Sequence, residues 1–164
     1  MGLCASASYV MQIGMRQLTD LPIDCTTALN GRNLIVFDGE CILCSGFFRF
    51  MLRHDSDLHF DFATAQSPLG QRLYAALELP RDDFETNLVF VDGTVYGHLD
   101  AFAVAMGQLG WPLRLLSGLR WLPHWIKMPV YRLIARIRYR IFGRYDTCLM
   151  PNAKQRARFA PEGY

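Results

Sequence analysis

The sequence predicts an α/β fold in which a mixed sheet is flanked by helices and followed by a helical C-terminal extension. Three observations favour this fold: short apolar runs rich in strand formers, amphipathic stretches between them, and a turn signal joining two of the runs. The chain has 164 residues, of which 51% are hydrophobic and 20% charged. This balance is typical of a globular protein that can bury a core, and it excludes disordered and collagen-like chains.

The first half of the predicted domain alternates strand and helix. Residues 34–37 form an apolar run typical of a strand buried on both faces, and the Asp-Gly pair at 38–39 supplies a turn. From residue 41 to about 54, apolar side chains recur at helical spacing. Residues 58–62 alternate as a second strand. Residues 67–77 form the next helix, because serine and proline suit its N-cap and first position.

The second half begins with a hairpin. Residues 87–91 are apolar and strand-forming, the Asp-Gly pair at 92–93 is a hairpin turn signal, and residues 94–97 form the returning strand. A helix follows from about residue 100 to 109. The order is therefore strand, helix, strand, helix, hairpin and helix, which is the arrangement of a thioredoxin-like mixed sheet with helices on both faces.

Acidic and basic residues are distributed unevenly along the chain. Residues 1–112 carry six basic and 13 acidic side chains, whereas residues 113–164 carry 11 basic and two acidic ones. We therefore expect a mildly acidic body and a basic C-terminal segment. The predicted organisation is an N-terminal extension over 1–32, a thioredoxin-like domain over 33–110, and a basic helical segment over 111–164 that packs on the domain or extends it.

The cysteine pattern indicates redox chemistry rather than a disulfide scaffold. Five cysteines at irregular spacing, Cys4, Cys25, Cys41, Cys44 and Cys148, make a poor disulfide framework. The N-terminus lacks a secretory pattern, and no run of about 18 uncharged apolar residues is present. We therefore expect a cytoplasmic protein without a membrane span, in which a close cysteine pair is catalytic or metal-binding.

Cys41 and Cys44 fall where a predicted strand ends and a helix begins. Unpaired backbone N–H groups and the positive end of the helix dipole stabilise a thiolate at this position. The spacing of three places the second cysteine one turn along the helix, within reach of the first. We therefore expect Cys41 to attack a substrate disulfide and Cys44 to resolve the mixed disulfide, with the dithiol as the redox group and no cofactor or metal.

Two structural readings of the pair stay open. A zinc site would need further ligands, which only Cys148 and scattered histidines could supply. Two buried core cysteines are the other alternative, although the turn before Cys41 favours an accessible position for it. Asp38 is a turn former and also a candidate proton acceptor for the pair; as a fixed anion it would disfavour a neighbouring thiolate and so oppose the helix dipole.

Several separated motifs together resemble the DCC family of thiol–disulfide oxidoreductases, named for an Asp-Cys-Cys signature. They cover about residues 33–151 and comprise 36–44, 60–62, 66–68, 91–93, 97–101, 131–136, 138–140 and 148–151. The resemblance implies a thioredoxin-like fold and disulfide reduction, with Asp38, Cys41 and Cys44 as the signature residues. The implied substrate is a disulfide-containing protein or small molecule.

The basic tail allows a different role. Apolar residues between 130 and 141 form one helical stripe, and the arginines Arg132, Arg136, Arg138 and Arg140 are candidates for anion or membrane contact. The stripe could pack on the domain, or the helix could lie on a membrane surface; nucleic acid is the disfavoured partner. The alternative function is thus a thioredoxin-like binding module, peripheral to a membrane or bound to an acidic partner. Cys148 is either a third redox thiol or an inert buried cysteine.

Overall fold

The computed structural model describes most of the predicted domain and its extension. The described residues are 21, 29, 31–80, 84, 87–143 and 151–164. Cys4, Cys25 and Cys148 lie outside them, so the alternatives for Cys148 stay predictions.

The described elements form a four-stranded mixed sheet and its covering helices. In chain order they are β1 (Asn33–Phe37), α1 (Ile42–His54), β2 (Phe60–Thr64), α2 (Pro68–Ala76), β3 (Leu88–Val91), β4 (Thr94–Gly97), α3 (His98–Gly107), a 3-10 helix (Leu113–Trp121), α4 (His124–Phe142) and α5 (Ala153–Arg156). The strand order is β2-β1-β3-β4. β1 pairs with β2 in parallel and with β3 antiparallel, and β3 pairs antiparallel with β4. The predicted α/β thioredoxin-like fold is confirmed.

Both faces of the sheet are buried, as the continuous apolar run of β1 predicts. Leu34 and Val36 belong to the core layer that contains α2. Ile35 and Phe37 point to the opposite face and belong to the layer that contains α1 and α3. Successive side chains of a strand alternate between faces, so an apolar residue at every position serves two cores.

Stacked aromatic rings fix α1 against the second face. The ring of Phe48 on α1 stacks on Phe37 of β1, with centroids 4.8 Å apart, and meets Phe62 of β2 edge-on at 4.9 Å. Phe159, near the C-terminus, closes the group at 5.3 Å from Phe48. Such pairs add about 0.5–1.5 kcal/mol each beyond the area they bury, so α1 has a well-determined position on the sheet.

The start of β2 differs from the sequence prediction. The strand begins at Phe60, whereas the alternation had placed its start at Leu58. Leu58 adopts a positive φ of 57°, and its N–H donates to the carbonyl oxygen of Asp55. The backbone therefore turns at Leu58, and its half-exposed side chain takes no part in the apolar face.

The end of the chain is not helical, in contrast to the helical segment expected there. Residues 158–163, here called the C-terminal strap, run beside the outer edge of β2. The N–H of Phe62 donates to Arg158 O at 2.9 Å, and the N–H of Thr64 donates to Gly163 O at 2.8 Å. A Cβ on Gly163 would lie 2.9 Å from the Phe62 carbonyl oxygen, so only glycine allows this close approach. The strap supplies partners for backbone groups that an edge strand leaves open.

A buried ion pair anchors the strap. The carboxylate of Asp55, which has no exposed surface, accepts hydrogen bonds from the backbone N–H groups of His59 and Phe60 at 2.9 and 3.0 Å. Arg158 donates to Asp55 Oδ2, the oxygen that also accepts the Phe60 N–H, at 2.6 Å. Burial alone would raise the pKa of Asp55, but these bonds outweigh it and lower that pKa below 3.8.

Helix α4 is attached to the N-terminal end of α3. Lys127 Nζ donates to Asp100 Oδ1 at 2.7 Å, and the rings of His98 and Tyr131 meet edge-on with centroids 4.5 Å apart. Lys127 and Tyr131 are four residues apart and therefore share the side of α4 that faces the domain. Within the described residues, no helix is both long and apolar enough to cross a membrane.

Replacement of Gly70 by alanine is expected to destabilise the fold. A Cβ there would lie 2.2 Å from the backbone oxygen of Thr64, which no side-chain rearrangement can relieve. We expect Gly70→Ala to lower the free energy of unfolding by about 1–3 kcal/mol in urea titrations. The control is Gly46→Ala on α1, where a Cβ meets nothing within 4 Å; it should raise that free energy by up to about 1 kcal/mol. Equal stabilities for the two variants would contradict this account of the packing.

The acid stability of the protein should depend on Asp55. Its carboxyl group has a lower pKa in the folded than in the unfolded chain, so its contribution is complete above about pH 4 and is lost as pH falls through the folded value. Asp55→Asn should lower the free energy of unfolding at pH 7 by about 3 kcal/mol, because Arg158 loses its anionic partner and, of its described hydrogen-bond acceptors, keeps only the Phe60 carbonyl oxygen. It should also flatten the decline below about pH 4 in denaturant titrations. Asp57→Asn, a change at an exposed position in the same loop, should alter neither.

Candidate functional site

The candidate site begins at the turn between β1 and α1. Asp38 follows β1 directly and is fully buried. Its Oδ1 accepts the N–H of Glu40 at 3.0 Å, and its carbonyl oxygen accepts the N–H of Cys41 at 3.3 Å. The predicted turn-forming role of Asp38 is thus present in the geometry: its side chain and main chain together set the path into α1.

Gln66 holds this turn from the neighbouring strand end. Its Nε2 donates to Asp38 Oδ1 at 2.7 Å, and its Oε1 accepts the N–H of Gly39 at 3.0 Å. No role at the site was predicted for Gln66 from the sequence. Its position could have been inferred, because the carboxyl ends of parallel neighbouring strands lie side by side. Gln66 lies two residues beyond β2, and Asp38 directly follows its parallel neighbour β1.

Cys41 is the N-cap of α1. Its φ of −81° and ψ of 121° are extended, and its Sγ accepts the N–H of Cys44 at 3.3 Å. This contact places the sulfur of Cys41 at the positive end of the helix, where negative charge is favoured. Cys44 lies one turn further along, and the structure records both residues as thiols rather than as a disulfide.

The two cysteines are buried, so the expectation that the turn leaves Cys41 accessible is wrong. Cys41 is 0% and Cys44 3% exposed, and both belong to the core layer that contains Phe37 and Phe48. The reason is that residues 38 and 39 of the preceding turn are themselves buried, so α1 begins inside the protein rather than at its surface. An apolar setting favours the neutral thiol, whereas the helix N-terminus favours the thiolate.

The arginines that the sequence predicts as anion or membrane contacts belong to α4 and not to this cluster. Arg132, Arg136 and Arg140 are exposed on α4, and the side chain of Arg138 lies outside what the structure describes. Among the described residues, no group of three or more His, Cys, Asp or Glu side chains could hold a metal ion. The structure therefore brings together Asp38, Cys41 and Cys44, with Gln66 added.

His98, at the start of α3, is held neutral by its surroundings. Burial lowers the pKa of His98 to about 4; His124 and Arg132 act in the same direction and Asp100 opposes them. At neutral pH it is therefore an uncharged ring that packs on Tyr131.

Comparison with known proteins agrees with this geometry. Residues 35–144 match the family model of the DCC1-like thiol-disulfide oxidoreductases. The chain is 34% identical over 128 residues to the uncharacterized protein YuxK of Bacillus subtilis, covering 78% of this chain and 93% of that protein. It is 29% identical over 118 residues to a chloroplastic DCC family protein of Arabidopsis thaliana, covering 71% of this chain and 69% of that protein. No solved structure shows a significant match. The chain belongs to the DCC1-like thiol-disulfide oxidoreductase family.

Proposed function

We propose that the protein reduces disulfides through its Cys41–Cys44 pair. The observation that carries the proposal is the hydrogen bond from the Cys44 N–H to the Cys41 sulfur at the N-cap of α1. A sulfur held at this position gains stabilisation as a thiolate, and the thiolate is the species that attacks disulfides. The substrate class is a protein or small molecule that contains a disulfide.

The proposed reaction has two exchange steps. The Cys41 thiolate attacks one sulfur of the substrate disulfide, forming a mixed disulfide and releasing the other substrate sulfur as a thiolate that takes up a proton. Cys44 then loses its proton and attacks Cys41 Sγ, which releases the second substrate thiol and leaves a Cys41–Cys44 disulfide. The substrate gains two electrons and two protons, and an external dithiol reductant restores the pair.

Asp38 is proposed to accept the proton that leaves the pair. It is a carboxyl group buried at the same turn as Cys41, and Gln66 and the Glu40 N–H fix its orientation. A fixed carboxylate next to a developing thiolate disfavours that thiolate, so it serves the reaction only by taking up a proton. Gln66 is accordingly a positioning residue.

Substrate access requires local opening around the start of α1. Cys41 has no exposed surface, so no substrate sulfur can approach it in the described conformation. Openings of this kind have free energies below that of global unfolding. We therefore expect the Cys41 thiol to react more slowly with a bulky reagent than an exposed thiol would, and to react fully once the protein is unfolded.

Variants of the pair test the proposed reaction. Cys41→Ser should abolish turnover of insulin with a dithiol reductant, because the attacking sulfur is missing. Cys44→Ser should accumulate a mixed disulfide, detectable by mass spectrometry. In redox buffers, the parent protein should show a reversible two-electron couple within roughly −120 to −270 mV, the range of known redoxins.

Single serine variants of the other cysteines serve as controls. Cys25→Ser should retain turnover and potential, and Cys148→Ser should do so unless Cys148 is a third redox thiol. Absence of a reversible couple in the parent protein, or undiminished turnover by Cys41→Ser, would refute the proposal.

Gln66 offers a separate test of the role of Asp38. Gln66→Leu removes the side chain that orients the Asp38 carboxylate. The turnover number should therefore fall with little change in KM, with a stability loss of about 1–3 kcal/mol. Gln71→Leu is the matched control, since Gln71 Nε2 donates to a backbone oxygen, that of Ala65, at 3.1 Å; it should retain the turnover number. An undiminished turnover number for Gln66→Leu would limit Gln66 to a structural role.

A further inference from the structure

The tryptophans of this protein lie on its surface. The chain contains three, and Trp111, Trp121 and Trp125 are 80, 90 and 75% exposed. Tryptophan is highly buried on average in folded proteins because it has so much apolar area to remove from water. Trp121 ends the 3-10 helix and Trp125 lies in the first turn of α4, so two of them flank one helix junction.

The apolar stripe of α4 is exposed as well. Of the stripe residues, Val130, Leu133, Ile134 and Ile141 are all exposed, and only Ile137 is half-buried. The alternative that this stripe packs on the domain is therefore wrong. The side of α4 that carries Lys127 and Tyr131 makes that attachment instead.

The charges of this region are of one sign. Residues 113–143 contain seven basic side chains and no acidic one. Arg132, Arg136 and Arg140 recur every four residues and are all exposed, so they lie along one side of α4, with Leu133 beside them. We call this set the tryptophan–arginine face: Trp121, Trp125, Arg132, Leu133, Arg136 and Arg140.

We propose that the tryptophan–arginine face binds the surface of an anionic lipid bilayer. Exposed tryptophans and leucine can enter the interfacial layer, where tryptophan is favoured, while arginines pair with lipid phosphates. A second copy of the chain is a poor occupant of this face, because pairing the face with itself would appose arginines from a segment, 113–143, that contains no acidic residue. The combination of protruding aromatic area with charge of one sign matches a bilayer surface, which offers both an apolar layer and negative charge.

Docking in this way would bring the dithiol close to the lipid surface. Helix α4 is followed by Gly143, where a Cβ would lie 3.4 Å from Ile42 Cδ1 at the start of α1. The C-terminal end of α4 is therefore adjacent to the turn that carries Cys41. The binding proposal itself is independent of the redox proposal, since it uses none of the residues of that site.

Vesicle binding followed by intrinsic fluorescence tests the proposal. All three tryptophans lie between residues 111 and 125, so the fluorescence of the whole protein reports on this region. With vesicles of phosphatidylcholine containing phosphatidylglycerol, we expect a blue shift of tryptophan emission and co-sedimentation of the protein. Pure phosphatidylcholine should give at least roughly tenfold weaker partitioning, and added salt should weaken binding to the anionic vesicles.

Variants of equal net charge distinguish binding through this face from non-specific electrostatic attraction to the vesicles. The triple variant R132Q/R136Q/R140Q should partition at least roughly tenfold more weakly onto anionic vesicles. The control R53Q/R72Q/K154Q removes the same charge elsewhere on the surface and should bind within about twofold of the parent. W121A/W125A should lose most of the blue shift of tryptophan emission. All three variants should keep the fold, as measured by circular dichroism.

Four results would overturn the proposal. The first is no binding of the parent protein to anionic vesicles, and the second is equal loss in the two charge variants. The third is a lipid-free dimer, seen by light scattering, whose tryptophan emission is already blue-shifted, since a second copy would then cover the face. Preferential binding to an oligonucleotide over vesicles would likewise assign the arginines to nucleic acid.

Discussion

The candidate site depends on the parallel pairing of β1 with β2. This pairing brings the carboxyl ends of two strands to one sheet edge, and the Ala65 N–H extends it by donating to Phe37 O at 2.8 Å. Asp38 follows one strand and Gln66 the other, so they can bond only because the register is fixed. The same edge determines where α1 starts and therefore where the sulfur of Cys41 lies. A slip of one residue would invert the two faces of β1 and separate the whole cluster.

The surroundings of the dithiol have opposite effects on the ionisation of its thiols. Apolar neighbours such as Phe37 and Phe48 favour neutral thiols, while the N-cap hydrogen bond favours charge on Cys41. A buried carboxyl group at the adjacent turn adds a third influence. The balance sets how readily the pair loses a proton and how strongly it donates electrons, so small changes at positioning residues are expected to change the redox behaviour more than the fold.

The order of elements could be predicted from the sequence because each carries a local signal. The apolar run of β1, the Ser-Pro start of α2 and the hairpin turn at 92–93 are all properties of neighbouring residues. What the sequence did not reveal depends on distant partners. The role of Gln66 requires knowing which strands are adjacent, and the burial of Cys41 follows from how deeply the turn at Asp38 sits. Residues 58–62 alternate as a strand does, although the backbone turns at Leu58. The local pattern alone therefore predicts the start of β2 wrongly.

Coverage of β2 by the C-terminal strap also limits how other chains could add to the sheet. An uncovered edge strand is a template for intermolecular strand pairing, including aggregation. The strap occupies that position on β2 with its own backbone groups. Among the described strands, β4 is then the sheet edge left for such pairing, and it has only four residues. Strand addition by another chain would therefore meet β4 and not β2, at the opposite edge of the sheet.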